Sequence, residues 1–268
     1  MQRIGMGLLL AMVAGTASSE PEWPELLDVD LSYRYSSPLQ EASPWGVRLG
    51  LGVESEPTYQ GSDRTDTEID PFLVVSYRFD WGNVFLAGDG LGYSRMLTDN
   101  FGILLQLEDE DAREDGDDDR LIGLAQEEEL ELEITGRYFL GPWSFGASLA
   151  PATGDKGVVW FLGAGRTWQQ DRLLVTVNAD LSGSDKDNQR TDFGITPELS
   201  TVSGFPVYEP DGGLKSFGLR LNAEYKLSPN WFFYGQVDYE KLLGDVADSP
   251  LVFDDHQIEA GFGFYYRF

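Results

Sequence analysis

The 268-residue chain carries 46 acidic against 19 basic side chains, and its formal charge of −27 excludes nucleic acid and anionic lipid surfaces as passive partners, since both demand surplus Lys and Arg. Thirteen per cent aromatics, 31 glycines and no run of about eighteen apolar residues describe strand formers and turns without a membrane-crossing helix. The absence of cysteine excludes disulfide staples and a lipid-modified amino-terminal cysteine, so stability must come from sheet closure and burial.

The chain opens on Arg3, an apolar run from Ile4 to Gly15 and the small residues Thr16, Ala17, Ser18 and Ser19. This is the pattern of a secretory signal peptide over residues 1–19, too short to span a bilayer and followed at once by Glu20, Pro21, Glu22 and Trp23. Residues 20–44, rich in Pro, Glu and Ser, are expected to form a periplasmic amino-terminal segment or a partial plug. The alternation Val29, Leu31, Tyr33, Tyr35 hints at a short strand there, but counting it would make the strand total odd.

From residue 45 the period changes to two. Val47, Leu49, Leu51 and Val53 alternate with Arg48, Gly50, Gly52 and Glu54, and Leu130, Leu132 and Ile134 alternate with Glu129, Glu131 and Glu133. The carboxyl-terminal half repeats this: Phe217, Leu219, Leu221, Ala223, Tyr225 and Leu227 are interleaved with Gly218, Arg220, Asn222, Glu224 and Lys226. Trp231, Phe233, Val237 and Tyr239 follow, and Phe262, Phe264, Tyr266 and Phe268 end the chain. No helix explains period two, whereas a strand with lipid on one face and a polar interior on the other requires it. Residues 158–167 are apolar on both faces and fit a sandwich core equally well.

Strands are predicted near 45–54, 68–79, 83–88, 91–97, 101–108, 129–139, 143–150, 157–168, 172–181, 214–227, 231–243 and 256–268. Even parity and both termini on one side define an all-β, antiparallel up-and-down transmembrane barrel of about twelve strands over residues 45–268, in the outer membrane. Counting back from a periplasmic carboxyl terminus puts the short connections at Asp80 to Gly82, Thr98 to Asn100, Leu140 to Pro142, Gln169 to Asp171 and Ser228 to Asn230 in the periplasm. Trp45, Trp81, Trp143, Trp168 and Trp231 lie beside those turns, where an interfacial aromatic belt belongs.

Few residues offer chemistry. The acid run Glu108, Asp109, Glu110, Asp111, Glu114, Asp115, Asp117, Asp118 and Asp119 has the oxygen donors that hard divalent cations favour. Its spacing fails as an EF-hand, because counting from Asp115 puts Arg120 at the glycine position and Gln126 at the bidentate-glutamate position, so a solvated loop is expected instead of a cation site. The single histidine, His256, has Asp254 and Asp255 as sequence neighbours, but a hydrolytic site is defined by geometry rather than by adjacency. Glu129, Glu131 and Glu133 share the inward face, with Arg48, Arg78, Arg137, Arg220 and Lys226 as candidate partners across the lumen. The connection from Ser182 to Gly213 is long, carries Lys186, Arg190, Pro197, Pro206 and Pro210, and is expected to fold over a lumen already narrowed by Glu131, Arg220 and Glu224. No residue of the chain is expected to be catalytic, to bind a cofactor or to hold a metal.

Taken together, Tyr59, Gly61, Ser62, Asp63; Asp89, Gly90, Leu91, Gly92; Asp117, Asp118, Asp119, Arg120, Leu121; and Leu140, Gly141, Pro142, Trp143 resemble the MipA/OmpV family. So do Thr196, Pro197, Ser203, Gly204, Pro206, Tyr208, Asp211, Gly213, Leu214 and Lys215, with Leu243, Gly244, Asp245, Ala247, Asp248, Ser249 and Pro250. The resemblance implies an outer-membrane protein; membrane lipid and lipopolysaccharide are its expected surroundings, and the residues themselves point to no enzyme. The family's named member is regarded as a scaffold linking a lytic transglycosylase to a peptidoglycan synthase, so periplasmic peptidoglycan enzymes are the implied partners. Other members are known as porin-like, which makes a narrow channel the alternative; a barrel hydrolase comes last.

Overall fold

Branched and aromatic residues alternating with small or polar ones suit a pleated ribbon with unlike faces. In the computed structural model each such segment is a strand: β1 (Trp45–Pro57), β2 (Thr65–Phe79), β3 (Gly82–Ala87), β4 (Gly90–Met96), β5 (Phe101–Glu110), β6 (Glu129–Leu140), β7 (Trp143–Pro151), β8 (Val158–Gln170), β9 (Leu173–Ser184), β10 (Gly213–Lys226), β11 (Trp231–Leu242) and β12 (His256–Arg267). The structure describes residues 44–87, 90–110, 113, 118–121, 123–126, 129–151 and 156–268. The signal-peptide and amino-terminal-segment readings of residues 1–43 lie outside it, as do several carboxylates of the acid run.

Each strand pairs antiparallel with the next, and β1 closes on β12 with Leu51 opposite Phe264 and Val53 opposite Phe262. Closure leaves no sheet edge, so every backbone group of the ladder can be satisfied inside hydrocarbon. Outward residues such as Leu49, Leu51, Leu132, Leu221, Val237, Phe262 and Phe264 are exposed around the circumference. A continuous apolar girdle of that kind is a lipid-facing surface. The five predicted belt tryptophans all point outward beside the short turns, between 43% and 58% exposed. The chain is therefore an outer-membrane barrel with its short turns at one interface.

Several strands run past their predicted ends on the opposite side. β2 starts at Thr65 instead of residue 68 and β9 continues to Ser184 instead of residue 181, because hairpin pairing persists beyond the bilayer where side chains no longer need to alternate. The doubly apolar segment 158–167 is a barrel strand: Val159 and Phe161 are buried inside against Ala150, while Leu162 faces lipid.

The interior is asymmetric. On the wall from β3 to β8, Phe85, Leu104, Gln106, Glu131, Glu133, Thr135, Arg137, Ser148 and Phe161 are all buried. Water in an open pore would reach these groups, so side chains fill that half of the lumen. The wall from β9 round to β1 is half-buried and polar, with Asn178, Asp180, Arg220, Asn222, Gln236, Asp238, Glu259 and Glu54.

Candidate functional site

The long outer connections fold onto one another. Between β9 and β10 the chain forms α1 (Lys186–Phe193) and α2 (Pro197–Ser203), and between β11 and β12 a single turn, α3 (Gly244–Ala247). α1 starts at Asp185, whose carboxylate accepts from the Asn188 amide at 3.0 Å, and α2 starts at Thr196, whose hydroxyl accepts from the Leu199 amide at 3.3 Å. Pro197 opens α2, and Gly204 ends it with φ of 79°, the left-handed stop that glycine adopts without steric cost. A short antiparallel bridge between Ile195 and Tyr208 then turns the chain back toward β10.

These pieces share apolar cores of their own. Tyr59 from the β1–β2 connection, Leu121 and Leu124 from β5–β6, Ile195 from β9–β10 and Leu251 from β11–β12 are buried together. Phe193, Val246 and Leu242 form a second cluster beside it. Strands β5 and β6 stand across the ring of twelve from β11 and β12. Contact of Leu121 with the β11–β12 connection therefore carries chain over the outer mouth. Hydrogen bonds repeat the crossing: Arg113 donates to the Asp192 carbonyl at 3.0 Å, and Gln126 to the Thr191 carbonyl at 2.7 Å.

Charge is paired within this cap. Asp118, fully buried at its side chain, accepts from the Arg120 Nε at 2.9 Å and lies 3.4 Å from Arg64. Arg120 also bonds Asp63, and its guanidinium sits 3.6 Å from the Phe253 ring centre. Hydrogen bonding to Arg120 holds both Asp118 and Asp63 below the usual carboxylate range, and the two carboxylates in turn raise Arg120. Burial, with the Asp118 charge second, pushes the Tyr59 hydroxyl upward; that hydroxyl donates to the Leu251 carbonyl at 3.1 Å. Gly61 accommodates the crowding, with φ of 95° and Val252 only 2.8 Å from where a Cβ would stand. A bulge between Leu214 and Ser216 re-aims Lys215 into the cap, 3.7 Å from Asp192 and over the Phe193 ring.

The residues singled out in the sequence fall in three places. Of the described part of the acid run, Glu108 to Glu110 end β5 and Asp118 enters the cap, where it is held by arginine; among the described residues no group of three His, Cys, Asp or Glu is placed to hold a metal. His256 begins β12 on the outward face, with the Tyr239 hydroxyl 2.7 Å from Nδ1 and the Lys241 amine donating to Nε2 at 3.0 Å. Asp255 lies 3.5 Å from its ring and 3.1 Å from Lys241, while the Asp254 carboxylate accepts from the His256 backbone amide at 2.9 Å. Both ring nitrogens are thus occupied, outside the lumen. Inside, Arg220 pairs with Asp238 on the neighbouring strand, and the Gln236 amide donates to Glu54 at 2.7 Å and Glu259 at 3.1 Å. Glu133 accepts from Thr135 at 2.7 Å. Toward the periplasm the Tyr265 hydroxyl donates to Glu224 at 2.5 Å, its ring stacks on Phe232 at 4.9 Å, and the Arg267 guanidinium lies 4.4 Å from the Phe232 ring centre.

What escaped sequence reading was the core of the cap. Its signal was present as isolated apolar residues, Leu121, Leu124, Ile195 and Leu251, in otherwise polar connections.

A closed lipid-girdled barrel whose outer loops pack into a cored cap defines an outer-membrane barrel with a folded external face. Within that class, the model of the family described as MltA-interacting protein MipA matches residues 49–268, and the chain belongs to that family. The MltA-interacting proteins of Escherichia coli (strain K12) and of Shigella flexneri are each 24% identical over 255 residues, covering 93% of this chain and 91% of theirs. Among solved structures, the translocator domain of autotransporter NalP from Neisseria meningitidis superposes with a TM-score of 0.47 at 9% identity, over 91% of this chain and 97% of that one. Pseudomonas putida OprB gives 0.45 at 9% identity, over 95% and 100%. Scores this low say nothing about activity.

Proposed function

We propose that this protein is a non-enzymatic envelope scaffold that meets a periplasmic peptidoglycan enzyme of the MltA type. The observation that carries this reading is the cap: chain from four connections crosses the outer mouth and buries its own core, above an interior half filled by buried side chains. Such a barrel is built to stay closed and present surfaces, which favours scaffolding over conduction. The name of the curated relatives, MltA-interacting protein, supplies the partner class.

The periplasmic side is sparse, since its turns are only a few residues long. The partner's contact then falls on the barrel rim and on residues 20–44, read as a periplasmic segment that follows a cleaved leader at 1–19. Affinity purification of the tagged full chain from native envelopes is expected to bring down a lytic transglycosylase. Removal of residues 20–44 should abolish that recovery while leaving the barrel folded. A barrel that recovers no envelope enzyme and conducts ions steadily in a planar bilayer would instead support the narrow-channel reading.

A further inference from the structure

Arg166 stands on the lipid-facing side of β8, directly opposite Trp143 of β7 and Val177 of β9. Its guanidinium lies 4.9 Å from the Trp143 ring centre and 4.9 Å from that of Trp168, two residues nearer the periplasmic turn on the same face. Its Nε is shielded from solvent and meets no acceptor, and among the described residues no carboxylate lies within ion-pair distance. A cation on the outside of a barrel is costly at mid-bilayer and cheap only at the interface, where indole faces and headgroups share its charge. Trp143 begins β7 immediately after its turn, so the Arg166–Trp143 pair lies at that interface.

We propose that Arg166, clamped between Trp143 and Trp168, binds the phosphate of one glycerophospholipid from the periplasmic leaflet. The surface above it fits an acyl chain. Ala164 pairs with Phe145 on one side and Ala179 on the other, so a shallow lane of small residues runs up from Arg166 beside the larger, exposed Phe145 and Leu162. A planar guanidinium donates to phosphate oxygens in paired fashion, and the two rings hold it in place before the lipid arrives. The leaflet follows from the position of the short turns, which commits the ligand to phospholipid rather than lipopolysaccharide.

Native mass spectrometry of the full barrel in detergent, titrated with phosphatidylglycerol and phosphatidylethanolamine, tests this. One lipid should bind with an affinity that falls at least tenfold in Arg166→Gln and several-fold in Trp168→Leu, a variant that keeps apolar bulk. Heat-modifiable migration on gels would verify that both barrels are folded. Diacylglycerol, which lacks the phosphate, should bind no better to the wild type than to Arg166→Gln. Equal lipid binding by wild type and Arg166→Gln, equal retention of diacylglycerol, or displacement of the lipid by millimolar inorganic phosphate would each overturn the proposal.

Discussion

Asp118 owes its burial to two arginines on either side of it in the chain fold, Arg64 from the β1–β2 connection and Arg120 two residues on. Because Asp118 and Asp63 titrate below their ordinary range when folded, the pairs contribute fully above about pH 4, the unfolded carboxylate value. That contribution is lost only as the pH falls through the lower folded values. Limited proteolysis of the cap should therefore be flat from pH 8 to 5 and rise below 4. Arg120→Gln should raise cleavage several-fold at neutral pH, because it leaves Asp118 buried with a weaker partner, and should flatten the acid rise. An acid profile identical to wild type would show that Arg120 does not hold the cap. At this scale the sequence was only partly legible. The nine-carboxylate run reads as a solvated loop, and nothing in local spacing tells which acid goes inside; that depends on Arg64 and Phe253, distant in sequence and joined only by the fold.

At the level of strands, alternation assigns faces residue by residue, and the assignment has a cost attached. Leu221 is exposed on the outer wall opposite Val177, whereas its neighbour Asn222 lies on the inner wall opposite Gln236. Arginine at Leu221, near mid-bilayer, should destabilise the barrel by about 2–4 kcal/mol, and arginine at Asn222 by much less. Denaturant-driven folding into lipid vesicles measures both, and equal costs would contradict the faces. All twelve strands were readable in advance because period two is a local property imposed by two solvents, and the five short turns because hairpins need little chain. The helices α1 and α2 were not foreseen within the connection from Ser182 to Gly213. Their turns are too short to show a helical period, and they are stabilised by capping and by burial of Phe193 and Ile195 against other connections.

For the whole molecule, the cap is expected to decide whether the barrel conducts. α1 and α2 supply Phe193, Leu199 and the approach to Ile195, so removing Asp185 to Val207 takes a central partner from both apolar clusters. Ser184 and Gly213 are hydrogen-bonded neighbours on β9 and β10, and residues 208–212 are enough to join them as an ordinary hairpin loop. The deletion should therefore spare the barrel while unlocking Tyr59, Leu121 and Leu251 from across the mouth. What lies beneath is the half-buried wall with Glu54, Asp180, Asp238 and Glu259 against Arg220, an excess of carboxylate that should draw cations into any opened path. In planar bilayers the intact protein is expected to show little or no steady conductance. The deletion variant is expected to show small openings that carry potassium in preference to chloride, since the buried wall from β3 to β8 keeps half of the lumen filled. Openings without cation preference would mean that the acidic wall does not line the path. Silence in both forms would place the seal in the packed interior instead, and the cap would then serve as an external binding face alone.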